Sequence, residues 1–134
     1  MTPDELLLTR RSVRRYSQTP VPVETLREIV DVARYAPSGG NAQKWDVILA
    51  HEPETVAKVF PTLGWLPVTG APPEGARPTA YAVVAAEGKP NEANCSSLVV
   101  YLLLAAHARG MGTCWFGSID RKELAEAFGF PEGY

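Results

Sequence analysis

The stretch RRSVRRY, residues 10–16, places four arginines around one serine in a chain whose formal net charge is −2. Arginine presents a planar fork of N–H donors that fits phosphate oxygens, and the hydroxyl of Ser12 adds one more donor. Four guanidinium groups this close repel one another unless an anion lies among them. On a helical turn, two pairs would share a face: Arg10 with Arg14, and Arg11 with Arg15. From these residues alone, a phosphate site and a solvated basic turn both remain open.

The overall charge argues against a nucleic-acid partner. Nucleic-acid-binding proteins usually spread basic residues over one face and carry net positive charge. Here the other nine of the 13 lysines and arginines are scattered along the chain. A local basic cluster on an acidic chain fits a small anionic ligand better.

Composition bounds the class of protein. With 134 residues and 46% apolar content, the sequence predicts one domain, residues 1–134, with a hydrophobic core. The longest apolar run, Leu98 to Ala106, has nine residues, about half of the roughly 20 that span a bilayer. The start of the chain does not resemble a signal peptide, and no His/Cys cluster has metal-ligand spacing. We therefore expect a soluble, cytoplasmic protein without a metal, with Cys95 and Cys114 as buried small hydrophobes.

A second stretch, APSGGNAQKW at residues 36–45, combines glycines with side-chain amides. Gly39 and Gly40 permit a tight turn and a close approach of the backbone, while Asn41 and Gln43 can both donate and accept hydrogen bonds. No Lys-Ser/Thr pair follows the glycines, which excludes a P-loop. By composition alone, an ordinary helix end leading into a strand explains the stretch better than a ligand site does.

Apolar periodicity and capping residues predict the elements that position these stretches. We expect an α/β or α+β fold, with helices covering a small sheet. The proline-rich stretch 61–78 reads as a loop over the body of the protein, in which Trp65 either walls a substrate site or anchors the loop. Helices are predicted over 3–9, 23–36, 53–60, 91–109 and 121–129. Strands are predicted over 45–51 and 79–87, with 79–87 central in the sheet, and residues 112–119 are predicted as a third strand or an extended run.

Three pieces together resemble the nitroreductase family of flavoproteins: RRSVRRY, then APSGGNAQKW about 20 residues later, then ARGMGTCWFGSIDRKELAEAFGFPEGY. The resemblance implies an α+β fold with three layers, α-β-α, a small mixed sheet, and a long central helix at a dimer interface. It also implies an oxidoreductase that carries hydride from NADH or NADPH through FMN to nitroaromatic, quinone or similar acceptors. Alternatives are a specialised member, such as a dehalogenase or a flavin-fragmenting enzyme, and a flavin-binding or structural module without turnover.

The family also implies cofactor-binding residues, and no acid–base dyad, because the flavin carries the chemistry. By resemblance, one segment holds the FMN phosphate and reaches the ring edge, a second crosses to the flavin of the partner subunit of a homodimer, and a third lies beside the ring. In that order they are Arg10, Arg11, Ser12 and Arg14; Pro37, Ser38, Gly39, Asn41 and Gln43; and Trp115, Gly117 and Ser118.

Members of the family continue past the position of Tyr134. They add a further strand and an extension that wraps the partner subunit and usually supplies another basic residue to the FMN phosphate. The sequence in hand ends at FPEGY, so the resemblance predicts either a fragment or a natively short member. In a natively short member, the phosphate would depend on the first arginine cluster alone.

Overall fold

A computed structural model describes residues 1–134. All five predicted helices and the first two predicted strands are present. The predicted second helix ends three residues early, where the amides of Tyr35 and Ala36 bond three residues back instead of four. The helices are α1 (Pro3–Thr9), α2 (Val23–Ala33), α3 (Pro53–Val59), α4 (Glu92–His107) and α5 (Arg121–Phe128), and the strands are β1 (Asp46–Ala50) and β2 (Tyr81–Ala85).

Local capping sets two of the helix starts. The Thr2 side chain accepts from the amide of Glu5, whose carboxylate accepts in return from the Thr2 amide, so α1 begins with a full capping box. The Asp120 side chain accepts from the amide of Glu123 at the start of α5. Gly129 ends α5 with φ of 64°, a left-handed conformation that costs glycine little. Each capping residue lies within a few residues of the groups that it satisfies, and the predictions of these two helices are confirmed.

Strands β1 and β2 form an antiparallel ladder in which Val47 lies opposite Val84, and Ile48 opposite Val83. Because side chains alternate across a sheet, the two pairs face opposite ways. Val47 and Val84 pack on the core between α2 and α4, whereas Ile48 and Val83 belong to a second core with α3 and α5. The molecule therefore has the expected three layers, with helices on both faces of a small sheet.

Helix α4 has one buried face and one exposed face. Leu98, Leu102 and Ala105 are buried against α2, whereas Val100 and Tyr101 remain 42% and 39% exposed. An apolar helix that is half exposed within its own chain offers a surface that another molecule could cover. No helix of this protein has both the length and the apolar character required to cross a membrane.

Of the two alternatives for residues 112–119, the strand is wrong, and the central position predicted for β2 also needs correction. Residues 112–119 form no ladder; they contribute only isolated bridges, parallel from Thr113 to Ser12 and antiparallel from Ile119 to Leu63. Strand β2 is not central, because it pairs with β1 alone. Residues 80–86 line a cleft of about 1140 Å³, together with parts of α4 and residues 109–117. Apolar composition predicted that this strand is covered on its faces, but composition carries no information about how many neighbours pair with it.

Candidate functional site

The arginine segment, residues 10–16, is extended rather than helical and lies beside residues 112–114. Ser12 forms a parallel bridge with Thr113, and the amide of Val13 donates to the Thr113 carbonyl at 2.8 Å. Gly112 makes this approach possible, since a Cβ there would lie 2.9 Å from Cγ2 of Val13. The fold therefore brings the first and third predicted cofactor-binding stretches together.

The four arginines of this segment divide into two pairs. Arg11 donates to the carbonyls of Leu8 and Arg10, at 2.8 and 2.9 Å, and so caps the end of α1. Arg15 donates to the carbonyls of Thr69 and Arg14, at 2.8 and 3.1 Å. The guanidinium groups of Arg10 and Arg14 have no hydrogen bond or ion pair with the protein, and both residues are half-buried.

Arg10, Ser12 and Arg14 occupy alternate positions of an extended segment, and side chains at alternate positions share a face. The Ser12 hydroxyl also has no protein partner. Two free guanidinium groups and one free hydroxyl on one face have the donors and the charge that a phosphate dianion requires. Arg11 is exposed and already uses its Nη1 group on two main-chain carbonyls, so the geometry supports it less as a ligand than Arg10 and Arg14.

Cys114 lies close to these free charges. Burial raises the pKa of the Cys114 thiol, and the positive charges of Arg14 and Arg10 only partly oppose that rise. The thiol is therefore protonated at neutral pH and is not an activated nucleophile. Both Cys114 and Cys95 are free and half-buried, so the expectation that they are buried was too strong.

The amide segment, residues 37–43, is fixed to the first half of α4. The Ser97 hydroxyl donates to the Pro37 carbonyl at 2.9 Å, and the Gly39 amide donates to Oδ1 of Asn94 at 3.0 Å. Asn41 and Gln43 have φ of 54° and 52°, a left-handed conformation that is uncommon outside glycine. Backbone strain of this kind is frequent at ligand-binding sites.

Hydrogen bonds within the amide segment hold this strained shape. Oγ of Ser38 accepts from the Gln43 amide at 3.0 Å, and Nε2 of Gln43 donates to Oδ1 of Asn41 at 3.0 Å. Pro37, Gly39, Asn41 and Gln43 are exposed, and Ser38 is half-buried. The segment therefore presents polar groups and a pre-formed backbone at the protein surface.

The arginine segment and the amide segment lie at opposite ends of α4. Oγ1 of Thr9, next to the arginine segment, lies 2.8 Å from Nε2 of His107, which is the last residue of the helix. The amide segment contacts Asn94 and Ser97, which are 10 to 13 residues earlier, or about 15–20 Å along the axis. Within a single chain, therefore, the two predicted halves of the cofactor site are far apart.

In the third predicted stretch, residues 115–118, the ring of Trp115 and the backbone of Gly117 lie at the edge of the cleft. Trp115 is 48% exposed, and a Cβ at Gly117 would have nothing within 4 Å. Both residues line the cleft, whereas Ser118 and the arginine segment up to Arg15 do not. Behind them, Phe116 is half-buried against Trp65, with ring centroids 4.8 Å apart. Trp65 thus anchors the long loop, which was one of its two predicted roles.

Two polar groups near the cleft were not singled out from the sequence. Burial raises the pKa of Tyr81 to about 12, and its buried hydroxyl has no hydrogen-bond partner in the protein. Burial also raises the pKa of Tyr16, whose hydroxyl donates to the Val13 carbonyl within the arginine segment. The residues around Tyr81 are apolar and typical of a strand, so no pattern in the sequence marks its hydroxyl as a candidate. The hydrogen bond of Tyr16 depends on a bend that no motif predicts.

Comparisons with known proteins identify a family. A family model described as "Nitroreductase family" matches residues 7–86 and 89–134. A protein of Archaeoglobus fulgidus, named as an NADH dehydrogenase/NAD(P)H nitroreductase, is 31% identical over 96% of this chain and 76% of its own length.

Solved structures with a similar fold belong to the same family. A nitroreductase family protein of Clostridium novyi superposes with a TM-score of 0.83 at 20% identity, covering 99% of this chain and 79% of that one. An FMN-dependent nitroreductase of Clostridium difficile superposes with a TM-score of 0.77 at 24% identity, covering 97% of this chain and 80% of that one. These likenesses confirm the expected α+β fold.

Proposed function

Because the chain belongs to the nitroreductase family, we propose that it is an FMN-dependent oxidoreductase that uses NADH or NADPH to reduce a second substrate. The observation that carries the proposal is the pair of free guanidinium groups of Arg10 and Arg14, with the free hydroxyl of Ser12 between them. Two cations without a protein partner, half-buried on one face, fit the phosphate of FMN.

FMN, when bound, supplies the hydride and electron chemistry, and the residues of the chain bind and orient it. Arg10, Ser12 and Arg14 would hold the phosphate, and the positive charge of Arg14 would stabilise negative charge on the ring. Trp115, Gly117 and Ser118 would lie along the ring, because the missing side chain of Gly117 leaves room for a flat ligand. Arg11 would take a lesser part, because its Nη1 group already binds two main-chain carbonyls.

We further propose a homodimer in which the amide segment of one chain completes the site of the other. The separation of about 15–20 Å along α4 supports this, because a two-fold axis beside the helix can bring opposite ends of two copies together. Exposed apolar residues are available for the contact, on α1 (Leu7 and Leu8) and on α4 (Val100 and Tyr101). Pro37, Ser38, Gly39, Asn41 and Gln43 would then face the flavin of the partner subunit.

The natural acceptor is proposed by class only: a nitroaromatic compound, a quinone or a similar compound that accepts electrons. A cytoplasmic location fits a donor such as NADH or NADPH. A specialised dehalogenase and a flavin-binding module without turnover remain the alternatives. The test below separates an enzyme from a passive binder.

The purified protein, incubated with FMN and desalted, is expected to be yellow, with the absorbance bands of bound flavin. Adding NADH or NADPH under argon should bleach these bands, and a nitroaromatic acceptor should restore them. Retained colour without bleaching would indicate a binder without turnover. A colourless protein after desalting would contradict the proposed function.

The dimer should be measurable by analytical ultracentrifugation. At micromolar concentration we expect a single species of twice the chain mass of 14.5 kDa. An obligate contact of this kind buries more than about 2,000 Å² in total. We therefore expect the dissociation constant of the dimer to lie below the micromolar range. A folded species of 14.5 kDa under these conditions would contradict both the dimer and the shared site.

A further inference from the structure

The amide segment, residues 37–43, is joined to the rest of the fold at few points. Before it, Ala36 is buried in the core between α2 and α4, and after it Trp45 packs against the same core. Between these two residues most of the segment is exposed, so packing does not determine its shape. Only two hydrogen bonds join the segment to another element, and both go to α4.

These two bonds come from adjacent turns of α4. Oδ1 of Asn94 accepts from the Gly39 amide at 3.0 Å, and the Ser97 hydroxyl donates to the Pro37 carbonyl at 2.9 Å. Asn94 and Ser97 are three positions apart and therefore share a face of the helix. Both residues are half-buried. This face of α4 thus binds one donor and one acceptor from the backbone of the segment.

The left-handed residues of the segment make these two bonds important. Left-handed backbone is unfavourable for residues with a Cβ, such as Asn41 and Gln43, and it persists where the surrounding structure fixes it. The bonds made by Ser38, and between Asn41 and Gln43, lie inside the segment and would move with it. The bonds to α4 therefore fix where the strained segment lies in the fold.

The same face of α4 leads to the surface that we propose for the dimer contact. Tyr101 follows Asn94 and Ser97 at the spacing i, i+3, i+7, which places the three residues on one helix face. Tyr101 is exposed. A segment held by this face is therefore fixed to the helix that would meet the partner subunit.

We propose that Asn94 is a positioning residue of the shared site: its Oδ1, together with the Ser97 hydroxyl, holds the amide segment in the shape that binds the partner's flavin. This inference rests on the proposed function and its homodimer. Nδ2 of Asn94 donates to no protein atom, so a direct bond from Nδ2 to the ligand is the competing role. Asn94→Asp separates the two roles, because it keeps an acceptor for the Gly39 amide and removes the donor.

The first measurement is amide hydrogen exchange followed by NMR, and it needs no cofactor. In Asn94→Ala we expect the Gly39 amide to exchange about fivefold faster, since it loses its acceptor. Asn94→Asp should restore the exchange rate to within about twofold of the wild type. The amide of Ile29, in the core helix α2, should exchange at the wild-type rate in both variants, which separates a local change from a loss of global stability.

Two neighbouring serines of α4 provide a matched pair for this measurement. Ser97→Ala removes the bond to the Pro37 carbonyl, whereas the Ser96 hydroxyl donates to the Glu92 carbonyl of its own helix. We expect exchange of the Gly39 amide to be about threefold faster in Ser97→Ala and unchanged in Ser96→Ala. Equal acceleration in the two variants would contradict a specific attachment of the segment to the Asn94 face.

The second measurement is the Kd of FMN, from fluorescence quenching at about 0.5 M salt, where long-range repulsion between an introduced carboxylate and the phosphate is screened. In Asn94→Ala we expect the Kd to be about fivefold higher, because the segment no longer keeps the binding shape. Asn94→Asp and Ser96→Ala should both stay within about twofold of the wild type.

The outcomes decide between the two roles of Asn94. Wild-type exchange of the Gly39 amide in Asn94→Ala would overturn the positioning role. An equal rise in the Kd for Asn94→Asp and Asn94→Ala would assign Nδ2 to the ligand and would also overturn it. Fast exchange with unchanged FMN affinity would show that the flavin does not depend on the shape of the segment. If the wild type binds no FMN, the proposed function fails, while exchange of the Gly39 amide still decides whether Asn94 holds the segment.

Discussion

Arg10→Ala is expected to weaken FMN binding by about 2–4 kcal/mol, which corresponds to a Kd roughly 30 to 700 times higher. The Arg10 guanidinium is half-buried and has no protein partner, so its interaction with the phosphate is not shared with another anion of the chain. The measurement is a titration of FMN fluorescence quenching at one fixed salt concentration.

Two comparisons make this result specific. Arg15→Ala and Arg27→Ala remove the same charge from places that do not face the proposed phosphate, so both should change the Kd by no more than about twofold. Riboflavin lacks the phosphate, and its weaker binding should be insensitive to Arg10→Ala. Equal losses for all three variants would mean a diffuse electrostatic attraction, and the phosphate site would have to be abandoned.

Gly112→Ala should lower the free energy of unfolding by about 1–3 kcal/mol, the usual cost of overpacking. The new Cβ would lie 2.9 Å from Cγ2 and 3.1 Å from Cγ1 of Val13. Valine has few rotamers available, so the arginine segment must move away from residues 112–114. FMN affinity should fall about fivefold with the weakened contact to Thr113. Urea unfolding and FMN titration measure the two effects.

Val13→Ala provides the matched control for Gly112→Ala. In the double variant, two of the three close contacts disappear, because the Val13→Ala change removes both Cγ atoms. We therefore expect the double variant to be more stable than the sum of the two single changes predicts. Strict additivity would show that the two residues do not constrain each other, and Gly112 would not be what allows the segments to meet.

The helices could be predicted because their signals are local. The Thr2 box, the Asp120 cap and the left-handed Gly129 each act within one turn, and no distant residue is needed to establish them. The family motifs likewise identified the three stretches in which the cofactor-binding residues are predicted. Whether the individual cofactor-binding residues contact FMN is still a prediction.

The sequence could not predict which of the four arginines bind main-chain carbonyls and which have no protein partner. Arg15 is exposed and bound to two main-chain carbonyls, one of them that of Thr69, 54 positions away, whereas Arg14 is half-buried and has no partner. Residues 112–119 have strand composition, yet a ladder also requires a neighbouring strand in register, and only single bridges form. Long-range pairing of this kind is set by tertiary packing, so local propensity does not determine it.

The placement of the arginine and amide segments at opposite ends of α4 has a genetic consequence. In the proposed dimer, each site takes its arginines from one chain and its amides from the other. A chain damaged in one segment and a chain damaged in the other are each inactive alone. When the two chains pair, one site inherits both lesions, while the second site is assembled entirely from undamaged segments. Two null alleles of this protein should therefore complement each other in the same cell.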